Sequence, residues 1–129
     1  MASNDPLANA LSKINNAEAR SKPDVLLTPV STIIQSCLTL MQEHGFITGT
    51  TEEEGVGKKL RVKLNGRINK CGAIKPRFMT KASELEKHEQ RYLPAKDFGI
   101  LVLSTSSGMI THYEAKKKGI GGRLIAYCY

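Results

Sequence analysis

Residues 99–115 constrain this chain most, because they begin with an uninterrupted apolar run, Gly99-Ile100-Leu101-Val102-Leu103. A short run of this kind predicts a strand buried on both faces. Four hydroxyl residues follow, Ser104, Thr105, Ser106 and Ser107, and then Gly108, which allows a turn closed to other residues. Thr111-His112-Tyr113-Glu114 fits a capping box, with hydroxyl and carboxylate each meeting an orphan amide at a helix start. The predicted order is strand, tight polar loop, helix. A loop held at both ends presents hydroxyls and amides in fixed directions, which suits contacts to phosphate, ribose and base edges. A plain strand-to-helix connector would use the same residue types.

Charge discriminates between those readings. The chain has 129 residues and a formal charge of +7. Residues 1–64 hold seven basic and seven acidic side chains, whereas residues 65–129 hold twelve basic against five acidic. The whole positive excess therefore lies in the half that carries the hydroxyl loop, and it points to a polyanionic partner. No run approaches the ~20 apolar residues of a membrane span, and Met1-Ala2-Ser3-Asn4-Asp5 lacks the pattern of a signal peptide. The expectation is a soluble, cytosolic protein with no membrane partner. Cys37, Cys71 and Cys128 are far apart and form no C-x-x-C pair, which argues against a disulfide framework or a zinc site. Buried or incidental thiols are expected, and no metal or cofactor.

Along the chain, Asp5-Pro6 reads as an N-cap and first helical residue, with Leu7, Leu11 and Ile14 at helical spacing over residues 6–18. A strand over 24–28 ends at Pro29, and Ser31 caps a second helix with Ile34, Cys37, Leu38 and Met41 as its core stripe, closed by His44-Gly45. A strand opening at Phe46-Ile47-Thr48 weakens through Thr50, Thr51 and the acidic run Glu52-Glu53-Glu54, and Gly55 and Gly57 make a turn. Leu60-Arg61-Val62-Lys63-Leu64 alternates as a half-buried strand, and Asn65-Gly66 is a turn. Composition changes there, giving an N-terminal α/β lobe at 1–65 and a β-rich lobe with short helices at 66–129. In the second lobe, Arg67, Lys70, Lys75 and Arg77 mark an extended basic ribbon, and Ser83-Glu84-Leu85-Glu86 predicts a capped helix to about residue 91. Gly119, Gly121 and Gly122 suggest a flexible turn before a last strand over 123–129 that pairs inside a sheet. The fold class is α+β, in two small lobes.

Ser106, His112 and Glu114 are the ingredients of a nucleophile, base and orienting acid. Against catalysis, there is no G-x-S-x-G elbow, and Glu114 has a capping role. Gly119-Ile120-Gly121-Gly122 matches neither phosphate-loop pattern, so no small-molecule substrate is implied. With three Phe and four Tyr, mostly isolated, a stacking platform for single strands is not expected. Recognition of folded nucleic acid by backbone, hydroxyl and charge contacts remains.

These residues closely resemble the small-ribosomal-subunit protein of universal family eight, in its archaeal and eukaryotic branch, with the archaeal form nearest. The resemblance is carried by Asp5-Pro6-Leu7-Ala8-Asn9-Ala10-Leu11, Met41-Gln42-Glu43-His44-Gly45-Phe46-Ile47, Gly66-Arg67-Ile68-Asn69-Lys70-Cys71-Gly72-Ala73-Ile74-Lys75-Pro76-Arg77-Phe78, and residues 91–129. It implies a non-enzymatic structural component of the small subunit that binds the central domain of its ribosomal RNA, aids assembly and touches neighbouring ribosomal proteins in the cytoplasm. By matching position it assigns RNA contacts to Ser104, Thr105, Ser106, the Gly108 amide, Gly121 and Gly122, with Ser31 and Thr32 in the first lobe; Ser107 in the same loop and Arg67, Lys70 and Arg77 of the basic ribbon are the further RNA-binding candidates. The alternatives are a regulatory RNA-binding protein acting on its own messenger and, remotely, a small hydrolase. Members usually carry Lys or Arg where Thr32 stands here.

Overall fold

Leu7, Ala10, Leu11, Ile14 and Ala17 recur every three or four residues and form the buried face of helix α1 (Pro6–Ala19). In this computed structural model residues 6–27, 32–53, 59–74, 77, 79–95, 98–106 and 108–129 are described. Strand β1 (Asp24–Leu27), helix α2 (Thr32–Glu43) and the strands β2 (Ile47–Glu53) and β3 (Lys59–Leu64) complete the first part. The expected stripe of α2 is its core face, with Ile34, Cys37, Leu38 and Met41 all buried and Leu40 added. The three strands form an antiparallel sheet in the order β1-β3-β2. On β3, Leu60, Val62 and Leu64 are buried while Lys63 is exposed and Arg61 reaches Asp24 Oδ1 at 3.0 Å. The period-two alternation read from the sequence is therefore a strand with one face on the core.

The chain leaves α1 through an unusual cap. Ser21 donates its N–H to Glu18 O (3.0 Å), Lys22 donates to Ala17 O (2.9 Å), and Ser21 sits at φ +56°. That is the paired hydrogen-bond pattern of a left-handed helix end, a position where a β-carbon costs about 1 kcal/mol. Ser21→Gly should stabilise the fold by a few tenths to about 1 kcal/mol, part of the gain being offset by the freer unfolded chain. A urea midpoint unchanged or lowered would contradict the strain.

The chain divides into two compact units, Met1–Gly72 and Ala73–Tyr129. Strand β4 (Cys71–Ala73) carries it across that division. Strand β5 (Met79–Thr80), a 3-10 turn (Ala82–Glu84), helix α3 (Leu85–Tyr92), the hairpin of β6 (Ile100–Thr105) and β7 (Gly108–Thr111), helix α4 (His112–Lys118) and strand β8 (Gly122–Cys128) follow. The second sheet runs β4-β8-β6-β7, with β5 also on β8, so the last strand is interior, as its apolar composition predicts. Leu101, Leu103, Ile110, Leu124, Leu85 and Ala115 cluster as the core of this unit. The architecture is the expected two-lobe α+β fold.

Four local expectations need correction. Strand β2 continues into the acidic run as far as Glu53, with Glu52 opposite Leu60 and Glu53 opposite Lys59, because an alternating partner strand supplies ladder bonds that outweigh poor local propensity. Glu84, not Ser83, caps α3, and without a side-chain bond, since the 3-10 turn has already taken Ser83 into helical geometry. The hydroxyl segment does not run straight into a helix, because β7 intervenes. Nor are Gly121 and Gly122 a flexible turn: a β-carbon on Gly121 would overlap the Thr80 carbonyl oxygen, and one on Gly122 would lie 2.6 Å from Ser104 O. The expected caps at Asp5 and Ser31, the stop at Pro29, the turn at Gly55 and Gly57, and Lys75, Pro76, Phe78 and Ser107 lie outside the described residues.

Candidate nucleic-acid interface

A strand buried on both faces ends abruptly in exposed hydroxyls. Ile100, Leu101, Val102 and Leu103 are at most 2% exposed, whereas the next residue, Ser104, is exposed. In the hairpin Leu103 pairs with Ile110, Ser104 with Met109 and Thr105 with Gly108, the last pair before the tip, where Ser106 is exposed. The Thr105 hydroxyl donates to Gly108 O at 2.8 Å across that tip, and Gly108 adopts φ +100°, a conformation that L side chains avoid. This tie makes the tip a fixed edge, with the Ser104 and Ser106 side chains exposed on it. The hairpin is invisible to periodicity because β7 has four residues and begins with glycine.

Helix α4 anchors the other end. The Thr111 hydroxyl accepts the Glu114 N–H at 3.4 Å, the threonine half of the expected capping box, and Glu114 itself is exposed. The Tyr113 hydroxyl donates to Gly99 O at 2.9 Å, tying α4 back to the start of β6. At the far end of α4, Lys116 reaches Glu89 Oε1, and Lys117 and Lys118 are exposed.

Sheet register adds a residue that the sequence did not single out. Arg123 pairs with Ser104 on one side and with Met79 on the other, so its exposed side chain shares a face with the Ser104 hydroxyl. Gly122 is buried beside the Ser104 carbonyl, and Gly121 is half-buried beside Thr80 and Lys81. Close packing of the chain against itself thus accounts for both glycines. Of the remaining expected sites, Arg67, Lys70 and Thr32 are exposed residues of the first unit and Arg77 is half-buried in the second.

The aromatics are less isolated than their spacing implied. Tyr92 and Tyr127 lie 5.8 Å apart and near parallel, Tyr127 and Tyr129 lie 6.2 Å apart, and Phe98 is 6.3 Å from Tyr129. The three tyrosines are half-buried at the margin of the core cluster.

The three cysteines are buried. Cys71 donates to Leu11 O at 3.4 Å, and burial, with the Glu18 carboxylate adding to it, pushes its thiol up to about 12, so it is held protonated and unreactive.

A serine-centred catalytic site fails on geometry. His112 is fully buried, its Nδ1 accepts the Leu101 N–H at 3.0 Å, and its Nε2 faces Glu89 Oε1 at 2.9 Å. Both ring nitrogens are therefore directed at groups other than Ser106.

A family model described as ribosomal protein S8 matches residues 5–129. The chain belongs to the ribosomal protein S8 family. Membership makes it a small-subunit ribosomal protein that binds rRNA in the service of translation, in a family whose members are typically structural rather than enzymatic. The match spans both units, and it agrees with the positive excess in residues 65–129. Among the described residues no helix is long and apolar enough to cross a membrane.

Proposed function

We propose that the hairpin edge of the second unit is the primary rRNA contact, directed at the central domain of the small-subunit RNA, and that this contact serves early subunit assembly in the cytoplasm. The observation that carries the reading is the exposed hydroxyl edge closed by the Thr105–Gly108 bond and backed by a buried strand. Ser104 and Ser106 donate and accept at base edges and ribose hydroxyls, Thr105 accepts, the Gly108 amide completes the edge, and Ser107 is a further candidate contact. Arg123 beside Ser104 supplies charge for the backbone, with Arg77 as a further candidate. In the first unit Arg67 and Lys70, together with Ser31 and Thr32 at the start of α2, form a second, weaker contact. Gly122 serves the edge by letting β8 approach Ser104 closely, and Gly121 does the same for the chain at Thr80 and Lys81. Residues 66–129 act as the RNA-binding lobe, and neighbouring ribosomal proteins are further partners.

Removing the Ser106 hydroxyl should weaken binding to a central-domain transcript by about 1 to 3 kcal/mol. Filter binding of Ser106→Ala at wild-type affinity would refute the edge. Lys117→Ala, at an exposed cation unlike Lys116, should weaken binding modestly for every RNA sequence and reduce the slope of log affinity against log salt by about 1. A slope equal to wild type would leave this lysine serving only the helix end.

A further inference from the structure

Strand β6 is held beneath the hydroxyl edge by a side chain where the ladder runs out. The β6–β7 register ends with Val102 opposite Thr111, and one further step would bring Leu101 opposite residue 112. The chain turns into α4 there, so no strand backbone continues at that position. The His112 ring takes its place, with Nδ1 accepting the Leu101 N–H at 3.0 Å. Without it, a buried backbone donor would lose its acceptor.

A ring nitrogen that accepts an N–H carries no proton, so His112 holds its proton on Nε2. That nitrogen faces Glu89 Oε1 at 2.9 Å, and Lys116, one turn along α4, reaches the same oxygen. Glu89 is 7% exposed and His112 0%, so the carboxylate sits where an uncompensated charge would be costly. A carboxylate this close to Nε2, though not aligned as a hydrogen bond, favours the proton on that nitrogen by its charge and so leaves Nδ1 as the acceptor.

We propose that His112 is a positioning residue for RNA binding. Oriented by Glu89, it keeps β6 in register up to Ser104, so that the hydroxyls meet RNA as a preformed edge. This rests on the hairpin being the RNA contact, and it adds three residues, His112, Glu89 and Lys116, that touch no RNA themselves.

Two isosteric replacements separate this role from simple filling of space. In His112→Asn the side-chain oxygen stands where Nδ1 was, so the Leu101 amide keeps an acceptor. In His112→Gln an amide nitrogen stands where Nε2 was, and the Leu101 acceptor is lost. In the full-length protein, affinity for a small-subunit rRNA transcript and amide exchange at Leu101, Leu103 and Ser104 are measured for both, beside Ser106→Ala. The expected result is binding within about threefold of wild type for the asparagine variant. The glutamine variant should bind roughly tenfold more weakly, the scale seen when an orienting partner behind a binding group is removed, with faster exchange at Leu101. Equal affinities, or the glutamine variant binding more tightly, would overturn the proposal. Wild-type affinity in Ser106→Ala would instead overturn the hairpin reading, and the two failures are distinguishable because exchange at Leu101 is read without RNA.

Discussion

Gly122→Ala is expected to lower the unfolding free energy of the second unit by roughly 3 kcal/mol, at the upper end of what overpacking costs. The added carbon would lie 2.6 Å from Ser104 O and 2.7 Å from Thr105 Cγ2, and the first of these is backbone that cannot rotate away. Relief requires β8 to move off β6 at the residue that begins the hydroxyl edge. RNA affinity should therefore fall together with stability. Gly49→Ala is the control, since its nearest neighbour is the Gln42 amide nitrogen at 3.9 Å, and it should shift stability by no more than about 0.5 kcal/mol. All four tyrosines, at positions 92, 113, 127 and 129, lie in the second unit and the chain has no tryptophan, so intrinsic fluorescence follows that unit's unfolding. A urea midpoint for Gly122→Ala equal to wild type would mean that β8 does not pack this tightly on β6.

Leu103→Ala should cost about 2 to 5 kcal/mol. The side chain is 0% exposed and lies in the cluster of Leu101, Ile110, Leu124, Leu85 and Ala115, on a strand with β7 and β8 on either side. A cavity there cannot collapse without moving β6, so the cost should lie in the upper half of that range. Its neighbour provides the contrast: Ser104→Ala alters an exposed side chain and should leave stability within about 0.5 kcal/mol while weakening RNA binding. If the two variants were equally stable, Leu103 would not be the core beneath the edge. Thermal unfolding followed by tyrosine fluorescence separates them.

Much of this arrangement is legible in the chain because it is local. The stripe of α1, the alternation along Leu60, Val62 and Leu64, and the buried run ending at Leu103 each appear as a period in consecutive residues, and burial follows that period. The Thr111 cap is legible for the same reason, as a hydroxyl three residues before the amide that it accepts. The capping pattern at Ser83 misled because a 3-10 turn over Ala82–Glu84 starts the helical path before the serine can cap it.

The charge asymmetry, the run of hydroxyl residues and the family to which they belong were determined by sequence alone, since composition and short-range pattern need no partner. Only the tertiary structure decided which residues meet across strands. The pairing of Arg123 with Ser104 spans nineteen positions of sequence and depends on a register that shifts between Val102 and Leu103. The link from His112 to Glu89 joins two helices through a buried contact between a ring nitrogen and a carboxylate. The need for glycine at 121 and 122 comes from backbone pressed against backbone rather than from a turn. Pairing, burial and close approach are properties of residues brought together from distant positions, and no local period encodes them.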